Sequence, residues 1–313
     1  MIVRWGLASL PEVCEAAGVR KPLLIASPRW DDLAIEAEAR WREVPSARVD
    51  DAASQAGGGV IALGGGSAID LGKAVSAAAG VPLVSIPTTY AGAEWTTYYG
   101  VRDPGRKLRG GGGGADPRGI VYDADLTLDL PRETTVGTSM NALAHCAEAL
   151  YVQGHNVEAD EHALAGARLI GEWLPRVVDS PYDREARTEL LRGAGHGGAA
   201  LGGSGLALAH AMAQAIGGRY GLPHGTLNGI CLPPALRWNA QWVSDAVRRF
   251  EEAVGRPVEE LAALGGATRL RELGVPEADL PELAEAAAGR PGNRANPRPA
   301  TPAEIERLLA TVY

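Results

Sequence analysis

The sequence predicts an α/β N-terminal domain with a parallel sheet over residues 1–131, followed by an all-α C-terminal domain over 132–313. Three observations carry this. Short apolar runs alternate with helical patterns as far as about residue 131. Strand-like runs then stop, and helical periodicity takes over. At 313 residues the chain is also long enough for two hydrophobic cores.

In chain order, a helical pattern covers 10–18 and a short buried strand runs from Lys21 to Ser27. A second helical pattern covers 31–42, and a short crossover near 45–56 leaves room only for a trimmed helix. Gly59–Leu63 reads as a strand, 68–79 as a helix and Val81–Pro87 as a third strand. Arg109 is followed by five consecutive glycines, read either as a mobile loop that moves when ligand binds or, more simply, as a floppy surface connection. Beyond Pro131, helical periodicity marks Thr138–Val152, Asn156–Val178, Arg184–Tyr220 and Gly225–Trp238. The cleft between two such domains is the natural place for an active site.

The junction of the second strand and its helix is the most informative segment. An apolar run, Ile61-Ala62-Leu63, meets Gly64, Gly65 and Gly66, then Ser67 and a helical pattern that includes Asp70. Glycines let the backbone approach an anion, and the first amides of a helix lack partners of their own. The segment is not a Walker A loop, because five residues separate Gly66 from Gly72-Lys73 and Ala74 stands where Ser or Thr would hold magnesium. It also departs from the usual dinucleotide fingerprint, with Ile69 in place of the third glycine. A phosphate-bearing ligand is the expectation; the other reading is a glycine turn that only packs a helix on the sheet.

A net charge of −8 argues against a nucleic-acid backbone as partner. No apolar run reaches the length of a membrane span, so no membrane partner is expected. Cys14, Cys146 and Cys231 lie far apart, forming neither a metal-type pair nor a disulfide framework. A cytoplasmic homodimer acting on a small anionic substrate is expected.

Six histidines are present. His155, His162 and His196 show no obvious partners. Asn141 and His145 stand four apart on one predicted helix, and His210 and Gln214 repeat the spacing on a later one. His224 follows in a Leu222-Pro223-His224-Gly225 turn. These residues either converge on a catalytic or metal site or each satisfy local hydrogen bonds; spacing alone leaves both open, since Asn and Gln are poor metal ligands.

Several motifs in register add to this: Gly64–Lys73, Pro87–Glu94, Val121–Thr127, Met140–Tyr151, Leu222–His224 and Asn296–Pro299. Together they resemble the iron-containing (group III) alcohol dehydrogenase superfamily, and within it the maleylacetate reductases. The resemblance implies a dehydroquinate synthase-like fold, with an N-terminal nucleotide-binding domain and a helical catalytic domain. It implies NADPH or NADH as cofactor, its pyrophosphate on Gly64, Gly65, Gly66 and Ser67, with Asp70, Thr88, Thr89 and Lys107 beside it. Metal-dependent members use an Asp and three His, at the positions here of Asn141, His145, His210 and His224. Asn141 removes the charged ligand, which matches the maleylacetate reductase-like subgroup and makes metal unexpected; an ion, if bound, would sit on His145, His210 and His224. Gln214 stands where the family generally has a further histidine that relays protons, and Ala93 where it has a serine.

The chemistry implied is reduction of an unsaturated or keto carboxylic acid by NAD(P)H. His145, His210 and His224 are the expected catalytic groups, with Asn141 and Gln214 orienting them. Arg290, Arg294 and Arg298 are the nearby cations in sequence for a substrate carboxylate, though solvated charge suits most of them better. A non-redox lyase or cyclase on the same scaffold, or a binding protein that has lost catalysis, are the other readings. No acidic residue follows the strand ending at Ser27-Pro28-Arg29, and Arg29 could meet a 2′-phosphate, which leans toward NADPH.

Overall fold

A computed structural model describes residues 1–313 as two compact units. The first comprises Met1–Thr89 and Ala93–Thr127; the second comprises Leu128–Tyr313 together with Tyr90–Gly92.

In the first unit, β1 (Ile2–Trp5) leads to α1 (Leu10–Ala17), β2 (Arg20–Ile25) and β3 (Ala39–Trp41). Next come α2 (Val49–Ala53), β4 (Gly57–Gly58), β5 (Val60–Gly64), α3 (Gly66–Ala79) and β6 (Pro82–Pro87). A hairpin of β7 (Tyr99–Arg102) and β8 (Leu108–Gly112) precedes β9 (Asp116–Tyr122). The sheet order is β1-β9-β6-β5-β2-β3, with every pair on this path parallel, and β4 adds to β2 antiparallel.

The central strands are apolar at successive positions because both faces are covered. Leu24, Ile61 and Leu63 pack on one side with Val13 of α1. Leu23, Ile25, Val60 and Ala62 pack on the other with Ile69, Leu71 and Val75 of α3.

Three sequence expectations change here. Residues 31–42 form no helix: a single 3-10 turn at Pro28–Trp30 is followed by β3, whose Ala39, Arg40 and Trp41 pair with Leu23, Leu24 and Ile25. Burial of Trp41 and Ile35 in the sheet's two cores overrides the helical propensity of Glu36-Ala37-Glu38-Ala39-Arg40. The glycine run is not an unpaired loop, since Gly110, Gly111 and Gly112 pair with Val101, Gly100 and Tyr99. Its Lys107 is exposed at the hairpin's end.

The second unit is helical throughout: α4 (Arg132–Ala149), α5 (Val157–Asp179), α6 (Arg184–Gly203), α7 (Leu208–Tyr220) and α8 (His224–Asn239). It continues with α9 (Ser244–Val254), α10 (Val258–Ala263), α11 (Leu280–Ala288), α12 (Pro291–Ala295) and α13 (Pro302–Ala310). The third correction falls here: the pattern over Arg184–Tyr220 is two helices, α6 and α7, bent by 99°. The break spans 204–207, directly after Gly202-Gly203 and including Gly205, where helix propensity is low.

Small residues bring helices into backbone contact. A Cβ on Gly225 of α8 would lie 2.2 Å from the Gly137 carbonyl oxygen of α4. His162 and His196, without obvious partners in sequence, meet across α5 and α6 with their Nδ1 atoms 2.8 Å apart. The three cysteines are unpaired. No single helix is long and apolar enough to cross a membrane.

The C-terminal motif is a clasp. Asn296 and Asn239 exchange side-chain hydrogen bonds of 2.7 and 3.1 Å. Arg298 binds both oxygens of Glu304 at 2.9 and 3.1 Å and lies over the rings of Trp238 and Trp242.

Candidate active site

The glycine turn leaves the first amides of α3 outside the helix's own ladder. β5 ends at Gly64, whose φ of +147° excludes ordinary side chains. Gly65 caps α3, and the first helical bond inside the turn runs from the Ala68 amide to the Gly65 carbonyl. The amides of Gly66 and Ser67 therefore precede the helix's own ladder, where an anion finds donors and the positive end of the helix dipole. A Cβ on Gly65 would lie 2.9 Å from Thr89 Cγ2, so the turn admits backbone only. Thr88 and Thr89 follow β6, and the Thr88 amide donates to the Gly64 carbonyl at 3.0 Å.

The other two expected cofactor residues lie differently. Asp70 has both oxygens engaged, one by buried Lys73 at 2.7 Å and one by the Gly100 amide at 3.2 Å. Lys73 also donates to the Ala93 and Tyr98 carbonyls and to Thr96 Oγ1 at 2.7–2.9 Å. The pair thus pins the segment that follows Thr89. Lys107 bonds only through its backbone, its amide donating to Asp103 Oδ1 and its carbonyl accepting from the Asp103 amide, each at 3.0 Å.

The helical unit gathers the other predicted residues. α4 carries Asn141 and His145 one turn apart, α7 carries His210, and α8 begins at His224. The His145 and His210 rings stack at 4.8 Å with 13° between planes, and His210 and His224 lie 5.6 Å apart at 51°. Gln214, one turn beyond His210, has no side-chain hydrogen bond; its carbonyl accepts from Arg290 at 3.3 Å. Of the three arginines, only Arg290 reaches α7, since Arg294 donates to the Gly289 carbonyl and Arg298 belongs to the clasp.

Two residues that the motif reading passed over organise this cluster. Glu148 is wholly buried on α4. It accepts from the Ala207 amide at 2.7 Å, the His210 amide at 3.1 Å and His210 Nδ1 at 2.7 Å. It therefore caps α7 and sets His210 with Nδ1–H toward the carboxylate and Nε2 toward Asn141 Oδ1, 3.4 Å away. Asn228, also wholly buried, donates through Nδ2 to Asn141 Oδ1 at 2.7 Å. Asn141 Nδ2 donates in turn to the Ala91 carbonyl at 2.9 Å. Both were within reach of the spacing rule, since Glu148 is three residues beyond His145 and Asn228 four beyond His224.

Burial, with His210 and His224 close by, holds the His145 imidazole well below its ordinary pKa. His145 is thus a neutral ring that can offer N–H or a lone pair.

A parallel sheet with a glycine turn at one strand end, and a separate helical unit carrying three neighbouring imidazoles, suit a dinucleotide-dependent oxidoreductase. The family model "Fe-containing alcohol dehydrogenase family, C-terminal" matches residues 135–313, and "Iron-containing alcohol dehydrogenase" matches residues 4–112. Maleylacetate reductase of Burkholderia cepacia is 39% identical over 259 residues, covering 81% of this chain and 73% of that protein. Maleylacetate reductase 1 of Cupriavidus pinatubonensis is 33% identical, covering 98% and 92%. The crystal structure of maleylacetate reductase from Rhizobium sp. strain MTP-10005 matches with a TM-score of 0.88 at 31% identity, covering 100% of this chain and 95% of that one. The chain belongs to the iron-containing alcohol dehydrogenase family and is an NAD(P)-dependent oxidoreductase.

The family's name implies iron, and the donor set here does not fit it. Nowhere are three His, Cys, Asp or Glu side chains arranged to hold a metal ion. Asn141 offers a neutral amide oxygen that already accepts from Asn228, and Glu148 is committed to His210 and α7. Asn141→Asp is expected to raise zinc affinity on the order of a hundredfold, as a charged ligand replaces an amide. Calorimetric titration with zinc checks this, and unchanged affinity would show that the imidazoles cannot converge on an ion. The variant should also lose about 1–2 kcal/mol of stability, because a carboxylate then faces the Ala91 carbonyl.

The glycine turn fits the nicotinamide dinucleotide of this enzyme class. Gly65→Val is expected to weaken NADPH and NADH binding at least about a hundredfold by filling the space over the helix amides. Fluorescence titration reads this directly, and wild-type affinity in the variant would place the pyrophosphate elsewhere.

Proposed function

We propose that this enzyme reduces an unsaturated or keto carboxylic acid in the manner of maleylacetate reductases, without a metal. The observation that carries this is the amide chain from Ala91 through Asn141 to Asn228 beside three imidazoles, in place of a charged ligand set. When bound, the nicotinamide supplies a hydride. Reduction of a double bond conjugated to a carbonyl pushes negative charge onto the carbonyl oxygen. His145 and His224 present imidazole N–H donors to that oxygen. His210, its Nδ1–H held by Glu148, adds a ring of fixed orientation. The proton that returns to the α-carbon comes from an imidazole or from water. Arg290, tied to α7 at the Gln214 carbonyl, offers a cation for a substrate carboxylate. NADPH is the favoured reductant, because β2 is followed by Ser27-Pro28-Arg29 with no acid for the ribose hydroxyls.

The test is turnover of maleylacetate with NADPH and with NADH, followed by loss of nicotinamide absorbance. Nucleotide binding without any turnover on this or other unsaturated keto acids would overturn the reading.

A further inference from the structure

The chain enters the helical unit early and briefly. Tyr90–Gly92 belong to that unit, Ala93–Thr127 return to the first, and Leu128 begins the helical run for good. The strap Tyr90–Gly92 has a stake at two places. Tyr90 directly follows Thr89, whose methyl closes the space over Gly65. Ala91 gives its carbonyl to Asn141 Nδ2 in the histidine cluster at 2.9 Å.

One side chain fixes where this strap begins. Arg187 of α6 is 1% exposed, and all its partners are neutral oxygens. Nε donates to the Pro181 carbonyl at 2.9 Å, and Nη1 donates to Tyr90 Oη and Thr135 Oγ1 at 3.2 Å each. Nη2 donates to the Leu128 carbonyl at 3.4 Å. Tyr90 and Leu128 are the two residues at which the chain crosses into the helical unit. Packing alone does not call for a charge here, since an apolar side chain of similar volume fills the space without desolvating a cation. What the guanidinium adds is direction: its donors form a rigid fork, which holds several acceptors in one geometry.

The rest of the strap is held as closely. The Tyr90 amide donates to Thr138 Oγ1 at 3.2 Å. A Cβ on Gly92 would lie 2.9 Å from Gly198 Cα. Arg187 and Gly198 both belong to α6, so one helix meets the strap at both ends.

We propose that Arg187 is a positioning residue for the reaction: through Tyr90 it sets the Ala91 carbonyl that orients Asn141, and it sets Thr89 over the glycine turn. The turnover arm of the test rests on the reading of the enzyme as a reductase of unsaturated keto acids; the nucleotide arm does not.

The full chain carrying Tyr90→Phe, Arg187→Lys or both is measured for NADPH affinity by fluorescence titration and for kcat on maleylacetate. Tyr90→Phe keeps the ring and removes the hydroxyl that Arg187 meets; it should lower kcat about tenfold and weaken NADPH about threefold or more. Arg187→Lys keeps the charge, loses the fork and should lower both at least as far. The double variant should fall no further than Arg187→Lys, because the two side chains act through one contact. A merely structural arginine would lower the thermal midpoint and leave kcat and NADPH affinity of the folded protein unchanged. That result overturns the proposal, as do losses in kcat that multiply in the double variant. Should Arg187→Lys fail to fold, Tyr90→Phe decides alone, and wild-type kcat and affinity in it overturn the proposal. If the wild type turns over no unsaturated keto acid, the reductase reading falls, while weakened NADPH binding in the variants upholds the role of Arg187.

Discussion

Replacing His210 by asparagine is expected to lower kcat on the order of a hundredfold or more. His210 is held at Nδ1 by Glu148 and stacked on His145, so its ring cannot be exchanged for a smaller group without losing an imidazole of fixed orientation. Loss in kcat with little change in KM would mark a contact made mainly in the transition state. His145→Asn and His224→Asn should lower turnover in the same way, and His155→Asn is the control. Should all three site variants melt early yet turn over normally, the cluster is packing and the chemistry lies elsewhere.

The largest effect on stability is expected from Glu148→Ala. Three donors lose their acceptor together: the Ala207 and His210 amides and His210 Nδ1. Each lies in a buried setting, where an unmet donor costs about 1–3 kcal/mol. Partial relaxation and water penetration leave a net loss of roughly 3–5 kcal/mol, a fall of roughly 10 °C in thermal midpoint. Turnover should fall too, because His210 is no longer oriented. A midpoint within about 2 °C of wild type would show that α7 is held by packing alone, not by the carboxylate.

Much of this arrangement was legible from residue spacing. The turn at Gly64–Ser67 was readable because a buried parallel strand is apolar at every position and three glycines mark where it ends and a helix begins. Asn141, His145, His210 and His224 were found as spaced polar residues on apolar helices. Glu148 and Asn228 obey the same spacing but were passed over, because a Glu or Asn on a helix is ordinarily solvated and only burial shows otherwise. Residues 31–42 misled for the opposite reason: good helix formers were recruited as an edge strand by pairing with β2, a non-local contact. The division of 184–220 was hidden because the partner that stabilises the start of α7 is a side chain far away on α4.

The β7–β8 hairpin has a consequence of another kind. Its second strand contributes Gly110, Gly111 and Gly112 to the pairing, and two more glycines follow. In most hairpins a slip of one residue turns every side chain to the wrong face, and that penalty fixes the alignment. Here a slip within the glycines replaces one by another, and only Leu108 and Arg109, at the start of the strand, would change face. The alignment is therefore held from one end only, by Leu108 opposite Arg102 and by the ion pair of Arg109 with Asp103. Were that one anchor lost, the strand could shift by about one residue, roughly 3.3 Å, with only glycines exchanging places beyond it.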